Sequence, residues 1–134
     1  MPYTLAEGMV FTTPEPLGVT DTLLADFAEV VGHGTAPSGM PVIHQIMAIL
    51  AREAIVAGAV PADGLVLTAE SLRVHRPPRS GDVLGGRLTI ESVRRRAGAV
   101  STRVRGEILA ATAETIAESL ATLTFRDDDD GAGR

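Results

Sequence analysis

Three histidines, His33, His44 and His75, are the only side chains in this chain that ordinarily change charge near neutral pH. They set the first limit on its chemistry. No cysteine is present, which excludes a thiolate nucleophile, disulfides and the usual zinc sites. All twelve basic residues are arginine, so a lysine Schiff base is excluded too; the bias toward arginine fits a GC-rich coding sequence. What remains is proton transfer by histidine, with Glu53 and Glu70 as nearby acids, and capture of phosphate or carboxylate by guanidinium forks at Arg73, Arg76, Arg79 and Arg94–Arg96. The bland reading of those arginines is a set of charged strand edges that block unwanted sheet pairing. No glycine-rich phosphate loop, nucleophile elbow or metal-ligand spacing occurs, so neither a cofactor nor a metal is expected.

The elements that must position these residues follow from periodicity. Gly8–Thr13 reads as a strand, interrupted by Pro14, Pro16 and Gly18. Thr20 caps a first helix in which Leu23, Leu24, Phe27, Val30 and Val31 recur at helical spacing, and Gly32 ends it. His33–Met40 is then a loop. Pro41 suits the first position of a second helix, Pro41 to about Ala57, whose Val42, Ile43, Ile46, Met47, Ile49, Leu50, Ile55 and Val56 occupy nearly every side. Such a helix is expected to be covered all round. His44, one turn into it, then needs either a capping partner among loop carbonyls or a functional cavity.

The second half of the chain supplies the cover. Leu65–Arg76 is a strand ended by Pro77 and Pro78; Val83–Val93 alternates Leu84, Leu88 and Ile90 inward, and Val100, Val104 and Ile108 repeat the pattern. Arg94, Arg95, Arg96 and Gly98 are expected to form the hairpin turn between these two strands. Ala110–Phe125 mixes helix-favouring Ala, Glu and Leu with strand-favouring Thr and Ile, and is read as mostly strand. One long helix with an antiparallel sheet defines an α+β domain over residues 1–126. Residues 127–134, opening with four aspartates, form an acidic tail expected to be disordered.

A chain of 134 residues suits one domain. Its net charge of −5 comes largely from that tail, leaving a near-neutral body with no footprint for nucleic acid. No apolar run is long enough to cross a membrane and no leader peptide opens the chain, so a cytoplasmic location is expected.

Three stretches, in this order, resemble the MaoC-like dehydratases and hydratases of the hot-dog fold. Gly8–Gly32 resembles the opening strand and helix of that family, Pro41-Val42-Ile43-His44 its Pro-Ile-x-His, and Ser71–Leu84 its strand and turn with Pro-x-x-x-Gly-Asp. The resemblance implies a hot-dog fold, a homodimer, and an acyl-CoA or acyl-carrier-protein thioester as substrate, in fatty-acid-like or polyketide biosynthesis. It also implies that the backbone N–H of Gln45, at the start of the central helix, polarises the thioester carbonyl. The family's Asp-x-Asn-Pro-x-His is missing: the corresponding loop is shorter and reads His33-Gly34-Thr35-Ala36-Pro37-Ser38. An altered site in which His33 or His44 replaces the usual pair is therefore the leading expectation, and an exposed loop histidine is the bland one for His33. Two alternatives stand beside it. His75 before its proline turn, with Ser38-Gly39, resembles a hot-dog thioesterase site; and the lost motif suits a non-catalytic subunit that binds an acyl chain or a partner.

Overall fold

A computed structural model describes residues 3–21 and 40–127. Their elements are β1 (Val10–Thr12), β2 (Leu17–Gly18), α1 (Met40–Val56), β3 (Val66–Val74), β4 (Val83–Arg96), β5 (Ala99–Ala110) and β6 (Thr115–Arg126). All strand pairs are antiparallel, in the order β1-β4-β5-β6-β3, with β2 continuing the β1 side along β4. The helix packs on one face of this six-stranded sheet, which is the hot-dog arrangement. The helix proposed between Thr20 and Gly32 lies outside the described residues but for its first positions, and His33, Ser38 and Gly39 lie outside them entirely.

Alternation sets which strand residues meet the helix. Leu84 and Ile90 of β4, Val100, Val104 and Ile108 of β5, and Ala117 and Phe125 of β6 are buried, with Leu88 partly so. From α1 they receive Val42, Ile43, Ile46, Leu50 and Ala54, a stripe at helical spacing. Each of its fully buried Ile and Leu side chains contributes about 1.5–3 kcal/mol by leaving water. Two glycines let the helix come this close. A Cβ on Gly86 would stand 2.7 Å from Ile46 Cγ2 and 2.8 Å from Leu50 Cδ1, and one on Gly106 would stand 2.8 Å from Met47 Sδ and 2.9 Å from Ser119 Oγ. Adjacent strands thus offer bare backbone where α1 crosses them.

Two expectations are corrected here. The helix is not covered all round: His44, Gln45, Ala48, Ala51, Arg52 and Val56 are exposed, because the sheet of a single chain reaches only one side of it. His44 therefore faces out and needs no internal partner. Arg94–Arg96 do not form the hairpin turn either; they are the last residues of β4, and Arg96 pairs with Ala99. The turn is Ala97-Gly98 alone, with φ of 52° and 82°, the two positive values that a tight two-residue hairpin requires. The pairing of Leu17–Gly18 with Leu84 and Val83 is an addition, since prolines on one side hid so short a strand.

Candidate functional site

Helix α1 starts at Met40, so the backbone donors that have no partner within the helix belong to its first turn: Met40 and Val42, Pro41 having no N–H. They carry the positive end of the helix dipole. Gln45 sits one turn further in, where its N–H is committed to the carbonyl four residues back, and its side chain is exposed. An oxyanion would be met by the first-turn donors rather than by Gln45. Val42 and Ile43 pin this end of the helix into a cluster with Val19, Leu84, Ile108 and Ile116, so the donors are held rigidly. His44 is exposed beside them.

Along the same helix, toward its C-terminal half, a cavity of about 240 Å³ opens between α1 and the sheet. The helix contributes Met47, Ala51 and Ala54, at i, i+4 and i+7; small side chains at the last two leave the space. The sheet contributes Leu88, Ile90, Val104, Ala121 and Leu123, with Val60 and Leu65 closing the far side. The polar groups on this apolar wall are Glu70, Thr102 and Ser119. The Thr102 hydroxyl is already used, donating to the Ser92 carbonyl at 2.8 Å beside the bulge in β4. Ser119 lies across from Leu72, and Glu70 across from Ala121, on the strand pair where the cavity approaches solvent.

His75 belongs to the other side of the sheet. Its Nε2 lies 2.8 Å from Glu118 Oε2; Glu118 Oε1 accepts from Arg105 Nη1 at 2.9 Å, and Arg105 Nε donates to Glu91 Oε2 at 2.8 Å. The chain of charges runs over β3, β6, β5 and β4 on the convex face. Its neighbours, His75 first and then Arg105 and Arg73, hold the Glu118 carboxyl below the usual carboxylate range. His44 on the concave-side helix and His75 on the convex face are therefore not brought together.

Arg76 is engaged internally. Its guanidinium forks onto Asp82 at 2.9 and 3.1 Å, reaches Glu114 at 3.4 Å, and donates to the Pro77 carbonyl at 3.2 Å. The hydrogen bond to Asp82 is the largest cause of its raised pKa, and the same bond, with the Arg79 N–H at 2.7 Å, holds Asp82 below its ordinary value. This pin fixes the Pro77–Asp82 turn, whose Asp82 carbonyl takes the Val19 N–H while Val19 O accepts from Gly81 N, both at 2.8 Å. Of the two arginines expected to meet substrate, Arg76 thus already has carboxylate partners, and Arg79 offers an exposed side chain on the turn. No group of three or more His, Asp or Glu able to hold a metal occurs among the described residues.

The sequence signal for the cavity was faint. Thr102 between Val100 and Val104, and Ser119 between Ala117 and Ala121, are hydroxyls at inward positions of otherwise apolar alternation, which is the one local sign that those positions face something unusual.

The arrangement of one helix against an antiparallel sheet is the hot-dog fold shared with solved MaoC-like dehydratases. The MaoC-like dehydratase from Rhodospirillum rubrum superposes with a TM-score of 0.70 at 20% identity, covering 93% of this chain and 97% of that one. The C-terminally truncated HadBC (3R)-hydroxyacyl-ACP dehydratase complex of Mycobacterium tuberculosis gives 0.68 at 22% identity, over 91% and 98%. The (R)-hydratase from A. caviae involved in PHA biosynthesis gives 0.62 at 13%, over 90% and 96%. A scan against protein-family models finds no match, and a search of curated proteins finds none either. At these identities the likeness establishes the fold.

Proposed function

We propose that this protein is a dehydratase or hydratase of an acyl thioester, working with an altered active site. The observation that carries the reading is the apolar cavity under α1, about two to four turns from the start of the helix. A thioester carbonyl placed at the first turn would have its oxygen facing the Met40 and Val42 N–H groups, which stabilise the enolate-like charge that develops when the α-proton moves. Its acyl chain would lie along Met47, Ala51 and Ala54. Hydration adds a water hydroxyl to the β-carbon and a proton to the α-carbon, so one group must take a proton from water and one must supply the other. His44, exposed near the start of α1, and His33, outside the described residues, are the candidates for that exchange. The names of the structural neighbours, dehydratases and an (R)-hydratase, support the same reaction class.

A second copy of the chain completes the site in this reading. Among the described residues the outer edge of β3 carries no partner strand, and Val66, Leu67 and Val74 are exposed along it, at 56%, 50% and 37%. Pairing two such edges would cover these side chains and bring a second wall to the open side of the cavity.

The deciding experiment follows the conjugated double bond of short- and medium-chain enoyl-CoA by its ultraviolet absorbance, in both directions, with free thiol monitored in parallel. Loss of the double bond without thiol release supports the proposal, and His33→Ala or His44→Ala should cost about 10²–10⁴-fold if that residue moves the proton. Thiol release instead would turn the assignment to thioester hydrolysis. Full activity in both variants would remove histidine from the mechanism.

A further inference from the structure

Among the described residues the buried polar side chains are Thr102 and Ser119, at 1% and 7% exposure, and both line the cavity under α1. Their hydroxyls differ in what they do. Thr102 donates to the Ser92 carbonyl, a bond internal to the sheet. The Ser119 hydroxyl has no hydrogen-bond partner among the described residues, and its oxygen still touches open space, since Asp127 Oδ1 is the one partnerless side-chain atom there that is sealed off. A hydroxyl set in an apolar wall without a partner weakens the fold that carries it, unless something in the cavity restores the bond.

The neighbours of Ser119 define what that something is. Ser119 pairs with Gly106 on β5, where a Cβ would stand 2.9 Å from Ser119 Oγ and 2.8 Å from Met47 Sδ. Bare backbone thus lets the hydroxyl and the thioether sit side by side, level with Met47. The wall around them is apolar, with Leu88, Val104 and Ala121. Glu70 lines the same cavity and is exposed, so its carboxylate disfavours a second anion nearby. A serine hydroxyl both donates and accepts, which suits a neutral oxygen of either kind. The cavity of about 240 Å³ also exceeds the roughly 150 Å³ that accommodates a benzene molecule, so several carbons fit around such an oxygen.

We propose that Ser119 recognises a neutral oxygen, hydroxyl or keto, on a mid-chain carbon of the acyl group held in this cavity. The substrate class is then an oxygenated medium-length chain rather than a plain alkyl one. The thioester end of this inference rests on the acyl-thioester reading; the chain end rests on the cavity and Ser119. At 1.5 Å per residue Met47 lies about 10 Å along the axis from Met40. An extended chain covers about 1.2 Å per bond, so with the carbonyl at the first turn the oxygen belongs near the eighth carbon, give or take roughly one.

The test measures calorimetric binding of decanoyl-CoA, 8-hydroxydecanoyl-CoA and 8-oxodecanoyl-CoA to the parent protein and to Ser119→Ala. All three are saturated and lack a β-oxygen, so neither hydration nor dehydration disturbs the measurement. The parent should bind one or both oxygenated chains about threefold to tenfold more tightly than decanoyl-CoA, and Ser119→Ala should bind all three alike. The tighter of the two names the oxygen. A second arm uses heptan-2-ol and heptan-2-one, followed through the amide resonances of Ala51 and Ala121; both should bind the parent more tightly than Ser119→Ala. That outcome with no thioester bound would keep the Ser119 site and remove the acyl-thioester reading. Thioester binding without any preference for oxygen would keep that reading and overturn the Ser119 site, water alone then serving the hydroxyl. Ser119→Ala should melt no lower than the parent. A drop of several degrees, or an oxygen preference that survives in Ser119→Ala, would also overturn the proposal.

Discussion

The two faces of this sheet are held by different physics. The concave face meets α1 through close packing on bare backbone at Gly86 and Gly106, where no side chain can be added without displacing Ile46, Leu50 or Met47. The convex face is a lattice of ion pairs and hydroxyls, half-exposed, in which His75, Glu118, Arg105 and Glu91 share charge. Packing is short-ranged and intolerant of volume change, whereas exposed charge pairs are screened and forgiving. The contrast teaches where sensitivity to substitution should lie: beneath the helix, far more than on the charged surface.

That contrast is open to direct attack. The largest effect should come from Ile46→Ala or Leu50→Ala, each losing about 2–5 kcal/mol in urea unfolding, since both side chains are fully buried against the sheet. A loss under 1 kcal/mol would mean that α1 is not seated as described. Next, Gly106→Val should cost about 1–3 kcal/mol by overpacking against Met47 and Ser119, read from the same curves. Changing Ala97 to Gly should move stability the other way, by up to about 1 kcal/mol, because Ala97 holds a left-handed φ of 52°. A lower melting temperature in Ala97→Gly would show that the turn is not strained.

The ion pairs of the convex face and of the Pro77–Asp82 turn should respond chiefly to pH. Glu118 and Asp82 both have folded pKa values below their unfolded ones, so each adds stability that is present above the ordinary carboxylate range, about 4, and lost as pH falls through the folded value. Glu118→Gln and Asp82→Asn should therefore flatten the acid limb of the stability curve while lowering stability at neutrality, with Asp82→Asn the stronger because its partner Arg76 is mostly covered. An unchanged acid limb in Asp82→Asn would remove the Arg76 pin from the account. Smallest of all should be Arg87→Ala, whose ion pair with Glu107 is exposed; its urea midpoint should stay within measurement error of the parent.

Much of the architecture was legible in the sequence because it rests on local patterns. The alternation of Leu84, Leu88 and Ile90, then of Val100, Val104 and Ile108, names the inward faces of β4 and β5, and Pro41 with its apolar run marks α1. Other features depend on residues far apart and leave no local trace. The cavity arises where Ala51, Ala54 and Ala121, small residues from two elements, happen to face one another. The second carboxylate on Arg76 comes from Glu114, 38 positions away. The triple arginine looked like a turn because charge clusters favour loops, yet a two-residue turn let β4 run on through it. His44 looked buried because the helix is apolar on most sides, and only the one-sided placement of the sheet shows otherwise.

The glycine contacts also bear on time. Where α1 lies directly on the backbone of β4 and β5, the amides of Leu88, Gly106 and Ile108 sit on strands flanked on both sides with a helix laid over them. Solvent can reach them only when the helix lifts away as a unit, so these should be the last protons in the molecule to exchange, and their rate measures how often the whole fold opens.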